Sequence, residues 1–183
     1  LIVLKKMNIK NIYAIIGNSM GGYIALTLAR YLENKLTKLI SISSAYKSYP
    51  TNNAIHAIQR NMIINDPNWN HGNHPEKNFK GMVNARKLGL ISYFNPDYLN
   101  NRWSDPAELE SYLDYNAKKF CDFFAPHTYL SCLDTMDSFD ITKYFDSEHN
   151  SFAKINAITT IISVDSDHLC GKQQHQQLLQ KLQ

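Results

Sequence analysis

The residues with the clearest chemical potential surround Ser19, in the run G-N-S-M-G-G at positions 17–22. Residues 12–16 before this run are apolar, and residues 23–32 after it have helical apolar spacing. Between a strand and a helix, this pattern predicts a nucleophile elbow, a sharp turn that lifts a serine hydroxyl above a sheet. Ser19 is then a candidate nucleophile, and the backbone N–H of Met20 is a candidate oxyanion donor. The alternative is a glycine-rich turn with an incidental serine, but the flanking elements favour the elbow.

The composition of the segments that must position this serine predicts a parallel sheet interrupted by a long helical region. Residues 36–43 are apolar on both faces, as a buried parallel strand should be, and residues 154–164 have the β-branched composition of a strand. Residues 46–149 carry helical apolar spacing and repeated turns that contain proline, and residues 173–183 predict a final helix. The fold class is therefore α/β. The predicted domains are an α/β core at residues 1–46 and 151–183 and a helical cap at residues 47–150.

An acidic partner for Ser19 is predicted after the last strand. Ligand groups in parallel sheets lie at the carboxyl ends of the strands, where Asp167 follows the strand at residues 154–164. This position suits the acid of a Ser, Asp, His triad in that chain order, with Asp165 as the competing candidate. Two histidines follow Asp167 in the sequence, His168 and His175. Side chains of adjacent residues generally point apart, which argues against His168 as the base.

The composition excludes several classes of function. With 44% hydrophobic residues and a net charge of +3, the 183-residue chain is typical of a globular domain without a basic patch for nucleic acid. We expect Cys121 and Cys132 to be small buried hydrophobes, since their spacing with Cys170 is not that of a zinc site. His71 and His74 lack a third ligand nearby, so we expect no metal. Without a signal peptide or long apolar span, the chain is expected to be cytoplasmic, with no membrane partner.

Several short motifs follow the elbow in a fixed order. They are Q-R at 59–60 with D-P-N-W at 66–69, G-M-V-N-A-R at 81–86 with Tyr93, E-S-Y-L at 110–113 with K-F at 119–120, D-S-F-D at 137–140, and S-D-H-L at 166–169. Together with the elbow they resemble the homoserine O-acetyltransferases of methionine biosynthesis. That family consists of acyltransferases with the α/β-hydrolase fold, so the resemblance implies a partial α/β-hydrolase fold with a helical cap. The chain departs from the family at Asn18, at His74 and at Cys170–Gly171, where the family has glycine, tyrosine and Phe-Pro.

The resemblance also implies an activity and a set of roles. Ser19 would take the acetyl group from acetyl-CoA and pass it to the hydroxyl of L-homoserine in a ping-pong cycle, with Asp167 as the triad acid. Arg86 would bind the amino-acid carboxylate, and Tyr93 would line the same pocket. Acetyl-CoA is a co-substrate, so no bound cofactor is expected. A homodimer through the cap is expected for the full-length form.

The resemblance further implies that the chain is truncated at both ends. It begins at Leu1 rather than at methionine, and the family carries its triad histidine in a G-H-D motif farther along than Gln183. We therefore expect the triad histidine to be absent and the chain to be inactive by itself. The alternatives left open are a serine O-acetyltransferase, a homoserine O-succinyltransferase, a serine esterase and an inactive truncated copy.

Overall fold

The computed structural model describes residues 1–145 and 148–183. The chain divides into two compact units. The first, named here the sheet unit, comprises Leu1–Lys47 and Phe139–Gln183. The second, the helical unit, comprises Ser48–Ser138. No helix in the two described ranges is long and apolar enough to cross a membrane.

Three parallel strands form the sheet, in the spatial order β1, β2, β3. The register places Leu39 of the middle strand between Ile15 and Thr159. Because the strands run the same way, their carboxyl ends share one edge of the sheet. The predicted α/β class with parallel strands is confirmed. The strands are β1 Ile12–Asn18, β2 Leu36–Ile42 and β3 Ile158–Ile162.

The helices occupy the remaining segments of both units. Helix α2 packs against β1 and β2 through an apolar face that includes Ala25, Leu26 and Ala29, each almost fully buried. Their spacing of one, three and four residues is that of one helix face, as the sequence pattern predicts. In chain order the helices are α1 Ile2–Lys6, α2 Met20–Leu32, α3 Pro50–Ile64, α4 Lys80–Ser92, α5 Pro96–Arg102, α6 Pro106–Phe123, α7 Pro126–Ser138, α8 Glu148–Phe152 and α9 Lys172–Leu182.

The two outer strands expose apolar side chains. Tyr13 and Ile16 of β1 are exposed, and so are Ile158 and Ile162 of β3. Within the part of the chain that the structure describes, each of these strands pairs with β2 alone. The outer strands therefore lack the burial on both faces that is typical of strands in parallel sheets.

The helical unit has an apolar core and capped helix ends. Proline begins α3, α5 and α6, where the first turn needs no N–H from that residue. Asn95 and Asp105 cap α5 and α6 by accepting hydrogen bonds from backbone N–H groups two residues on. Ile63 and Cys121 are fully buried in the core, and burial raises the pKa of the Cys121 thiol to about 11. Cys121 is thus a buried hydrophobe as predicted, whereas Cys132 is half-buried.

A charged cluster ties α3 to α7. His56 Nδ1 lies 2.6 Å from Asp137 Oδ1, and Arg60 Nη2 lies 2.8 Å from Asp137 Oδ2. Arg60 also pairs with Asp134, which is far more exposed than Asp137. The hydrogen bond with Asp137 is the main reason that the pKa of Arg60 is raised above its usual value. Asp137 is therefore the shared acceptor of this cluster.

The second boundary between the units differs from the expected one. The cap was expected to extend to residue 150, but residues from Phe139 onward lie with the sheet unit. The Phe139 ring stacks on Tyr23 of α2 with a centroid distance of 4.1 Å, and the Ile141 N–H donates to the carbonyl of Tyr46. These contacts give the segment a partner in the sheet unit, which its helix-like composition could not reveal.

Candidate active site

Ser19 lies at the turn between β1 and α2 in a strained backbone conformation. Its φ is 52° and its ψ is −121°, in the left-handed half of conformational space that non-glycine residues rarely occupy. The turn is compact because a Cβ at Gly17 would meet the Gly21 carbonyl oxygen at 2.2 Å, and one at Gly22 would meet Ser44 at 2.4 Å. The side chain of Ser19 is exposed. This is the geometry of a nucleophile elbow.

The first turn of α2 supplies candidate donors for an oxyanion. Met20 is the first residue of the helix, and first-turn N–H groups have no partner within a helix. That turn contains no acidic residue to neutralise the positive end of the helix dipole. The Gly22 N–H is already used, because it donates to the Ser19 carbonyl at 2.8 Å. The Met20 N–H is therefore the candidate donor nearest to Ser19 in the chain.

Asp167 lies in a tight turn at the same sheet edge as Ser19, with β2 between their strands. Its Oδ1 accepts hydrogen bonds from the N–H groups of Leu169 and Cys170, at 2.8 and 2.9 Å. These bonds orient the carboxylate. The competing residue Asp165 is exposed, whereas Asp167 is half-buried. Ser19 and Asp167 thus share the carboxyl edge, as a triad requires.

His175 supports the loop that carries Asp167. The imidazole is only 4% exposed, and its Nδ1 lies 2.8 Å from the Gly171 carbonyl, to which it donates. Its Nε2 lies 3.7 Å from the Cys170 sulfur. Burial raises the pKa of the Cys170 thiol to about 12, so the thiol stays protonated and can donate to Nε2. Both ring nitrogens are thereby committed to local contacts, and His168 is exposed on the turn itself.

Arg86 and Tyr93 lie in the helical unit, on α4 and at its C-cap. The Arg86 Cζ stands 5.6 Å from the centroid of the Tyr93 ring and 4.1 Å from that of Phe120. Arg86 Nε is buried without a hydrogen-bond partner in the described part of the chain. Tyr93 is 61% exposed. The continuous helix therefore brings the two predicted substrate-binding residues together, beside a guanidinium whose Nε–H has no partner in the described residues.

Two residues beside Arg86 were given no role by the sequence reasoning. Gln59 Nε2 donates to the Ala85 carbonyl at 3.0 Å and to the Tyr129 hydroxyl at 2.9 Å. Burial raises the pKa of Tyr129 above its usual value, although the charge of Arg86 and a hydrogen bond with it act in the opposite direction. Gln59 belongs to one of the quoted motifs, but Tyr129 lies 70 residues away from it. A contact over that separation has no local signal in a single sequence.

The histidine-containing loop of the helical unit is an aromatic cluster. The His74 ring stacks on Trp69 with a centroid distance of 5.6 Å, and its Nδ1 lies 2.9 Å from the Glu76 carbonyl. His127 Nε2 lies 2.8 Å from the Gly72 carbonyl. Over the described residues, no three His, Cys, Asp or Glu side chains are placed to share a metal ion. Packing and backbone contacts thus account for these rings.

Comparison with known proteins places the chain in a family. The profile described as alpha/beta hydrolase fold matches residues 1–183. The chain belongs to the α/β-hydrolase fold family. Its sequence is similar to a serine O-succinyltransferase of Stenotrophomonas maltophilia, with 32% identity over 96% of this chain and 53% of the relative. It is also similar to a homoserine O-acetyltransferase of Methanohalophilus mahii, with 30% identity over 98% of this chain and 39% of the relative.

Solved structures agree on the fold. A homoserine O-acetyltransferase from Bacillus anthracis superposes with a TM-score of 0.89 and 17% identity, over 98% of this chain and 52% of that one. The esterase E22 superposes with a TM-score of 0.87 and 22% identity, over 99% of this chain and 54% of that one. The chain thus spans about half the length of these proteins. Because transferase and esterase match equally well, the likeness defines the fold and leaves the reaction open.

Proposed function

We propose that this chain is part of an O-acyltransferase that moves an acyl group from an acyl-CoA to the side-chain hydroxyl of a small amino acid. Acetyl-CoA and L-homoserine are the proposed donor and acceptor, and methionine biosynthesis is the proposed pathway. The names of the relatives in sequence support this choice, since they are O-acyltransferases acting on serine or homoserine. An esterase would share the elbow but would have no need of an amino-acid carboxylate site.

The buried Nε–H of Arg86, which has no hydrogen-bond partner in the described part of the chain, carries the proposal. A buried N–H without a partner costs about 1–3 kcal/mol, so a protein retains it where a ligand completes it. In the described helical unit, no carboxylate forms an ion pair with Arg86. A planar guanidinium is well suited to bind a carboxylate through two hydrogen bonds. Every amino-acid acceptor presents such a carboxylate, whereas a simple ester need not.

The proposed reaction has two half-reactions at Ser19. In the first, Ser19 Oγ attacks the thioester carbonyl, the Met20 N–H stabilises the oxyanion, and the C–S bond breaks to release CoA. A histidine takes the serine proton and gives it to the CoA thiolate, while Asp167 holds the imidazole in the correct tautomer. In the second, the amino-acid hydroxyl loses its proton to that histidine and attacks the acyl ester. The acylated amino acid leaves, and Ser19 regains its proton.

A second candidate is the transfer of a succinyl group to L-serine. The relative from Stenotrophomonas maltophilia carries that name and covers nearly the whole chain. Serine and homoserine differ by one methylene, a difference that a pocket typically distinguishes by only about 1–3 kcal/mol. Arg86 binds the carboxylate shared by both acceptors, so it does not discriminate between them.

The test crosses two acyl donors with two acceptors. Acetyl-CoA or succinyl-CoA is incubated with L-homoserine or L-serine, and release of free CoA thiol is followed. The 183-residue chain is assayed beside a version extended at both ends from the flanking coding DNA, with Ser19→Ala variants of each as controls. We expect turnover in the extended version and none in the chain itself, because His175 is committed to the acid loop. Equal turnover in both would instead assign the base to His168 or His175.

Acyl-enzyme formation distinguishes transferase from esterase. With acetyl-CoA and no acceptor, the extended version should accumulate an acetyl group on Ser19, visible as a mass increase in intact-protein mass spectrometry. L-homoserine should then discharge it. An esterase would discharge the acyl group to water at the same rate with and without the amino acid, which would contradict the proposed function.

The proposed dimer would use the helical unit. Tyr98 on α5 and Tyr115 and Phe123 on α6 are large apolar side chains that are at least half exposed. Aromatic residues are enriched at the centres of protein interfaces. Light scattering on the extended version should give the mass of a dimer, and Phe123→Asp should shift it toward the monomer. A monomeric extended version would contradict the proposal.

A further inference from the structure

We propose that the Tyr129 hydroxyl is a second hydrogen-bond donor, beside Arg86, for the carboxylate of the amino-acid substrate. This inference rests on the proposed function, because it takes Arg86 as the carboxylate-binding residue. It adds Tyr129 as a residue that contacts the substrate and Gln59 as the positioning residue that orients its hydroxyl.

The direction of the Gln59 amide is fixed by its neighbours. Its terminal nitrogen lies 3.0 Å from the Ala85 carbonyl oxygen, which can only accept a hydrogen bond. The amide must therefore present its nitrogen to that oxygen, and the second hydrogen of the same nitrogen is directed at Tyr129 Oη, 2.9 Å away. Tyr129 is consequently the acceptor in its bond with Gln59.

The hydroxyl hydrogen of Tyr129 must then be donated elsewhere. The Arg86 guanidinium, whose Nη1 also lies at Gly89, has donors only and cannot accept this hydrogen. The Gln59 amide donates to the phenol oxygen, so the hydroxyl hydrogen points away from both Gln59 and Arg86. Burial keeps the phenol protonated at neutral pH. Among the residues that the structure describes, none accepts this hydrogen.

The polar groups converge on one face of α4, at Gly89. A Cβ at this residue would lie 2.8 Å from Gln59 Nε2, 3.2 Å from Tyr129 Oη and 3.7 Å from Arg86 Nη1. Only the absence of a side chain lets these groups approach the helix so closely. The Tyr129 O–H lies here beside Arg86 Nη1, and the Nε–H of the same positively charged guanidinium has no partner in the described part of the chain. Two donors and one positive charge match the two oxygens and one negative charge of a carboxylate.

The experiment titrates L-homoserine into the full 183-residue chain and follows the ¹H–¹⁵N signal of Arg86 Nε. Tyr129→Phe removes the hydroxyl alone and should weaken binding about tenfold or more, as expected for a hydrogen bond to a charged group. Gln59→Met keeps the side-chain length but removes the orienting amide, and it should weaken binding about threefold to tenfold. Tyr31→Phe, at an exposed tyrosine of the sheet unit with no role in the proposed site or dimer, should bind as the wild type does.

A second probe excludes a merely structural effect. L-Homoserine amide lacks the carboxylate, so it should bind more weakly than L-homoserine. Its affinity should be the same for the wild type and for Tyr129→Phe. If Arg86→Gln abolishes homoserine binding while Tyr129→Phe and Gln59→Met bind like Tyr31→Phe, this inference is overturned and the proposed function stands. If Arg86→Gln binds normally, or the wild type does not bind, the proposed function falls and the inference with it. Should Tyr129→Phe fail to fold, Gln59→Met decides by the same criteria.

Discussion

Gly21 and Gly22 are adjacent in the first turn of α2, but substitution by alanine should change the stability of the chain in opposite directions at the two positions. A Cβ at Gly22 would stand 2.4 Å from both Cβ and Oγ of Ser44, which are closer than real contacts. A Cβ at Gly21 would have nothing within 4 Å. Overpacking a close contact costs about 1–3 kcal/mol, whereas replacing a helical glycine by alanine gains up to about 1 kcal/mol. Gly22→Ala should therefore be destabilised by about 1–2 kcal/mol, and Gly21→Ala should be neutral or stabilised.

Thermal unfolding followed by circular dichroism provides the assay. At about 2–4 °C per kcal/mol for a chain of this size, Gly22→Ala should melt about 2–8 °C lower than the wild type. Adding Ser44→Gly removes both obstructing atoms and should restore most of this loss, while Ser44→Ala leaves the Cβ in place and should restore little. The reasoning is refuted if Gly22→Ala is as stable as Gly21→Ala, or if the two Ser44 variants rescue it equally.

Three further predictions concern the charged cluster, the acid loop and the sheet. Asp137→Asn should lower the free energy of unfolding in urea by about 1.5–3 kcal/mol, because it breaks hydrogen bonds to charged groups. Asp134→Asn, at an exposed carboxylate, should change this free energy by no more than about 0.5 kcal/mol. Equal losses would contradict the assignment of Asp137 as the shared acceptor of the cluster. With its pKa raised to about 12, Cys170 should react with iodoacetamide at pH 8 far more slowly than Cys132 in the native chain, and at a similar rate in urea. The 183-residue chain should self-associate through β3, because this outer strand exposes apolar side chains and one unpaired edge. Ile158→Lys, at a position 69% exposed on β3, should reduce that self-association in light scattering, and an unchanged result would refute the involvement of β3.

The elbow could be predicted from the sequence because everything that forms it is local. A strand, glycines that permit close approach, and an amphipathic helix follow one another within about twenty residues around Ser19. Asp167 could be placed at the same sheet edge for a related reason, since parallel strands align their carboxyl ends whatever lies between them. Both arguments need only the order of elements along the chain.

The polar contacts of the helical unit could not be predicted in this way. Several motif residues that support the family resemblance have structural contacts. Arg60 binds Asp137 across 77 residues, and Asp66 accepts hydrogen bonds from the N–H groups of Asn68 and Gly81. A single sequence contains the residue types but not their pairing, because pairing depends on how the helices pack. The same limit applies to residues 139–145 and 148–150, whose helix-like composition hid their place in the sheet unit.

Two strained residues follow the ends of β1 and β2, at the sheet edge that also carries the predicted catalytic residues Ser19 and Asp167. Ser19 and Ser43 have φ values of 52° and 44°, and such conformations cost about 1–3 kcal/mol each. Each strained serine donates its N–H, at 3.0 Å, to the last residue of the next strand: Ser19 to Ile42 and Ser43 to Ile162. The hydrogen bonds of the sheet thus continue one residue past each strand end and hold both turns. Because Asp167 follows β3, the bond from Ser43 to Ile162 lies where the acid loop begins, one strand away from the bond that holds the strained Ser19.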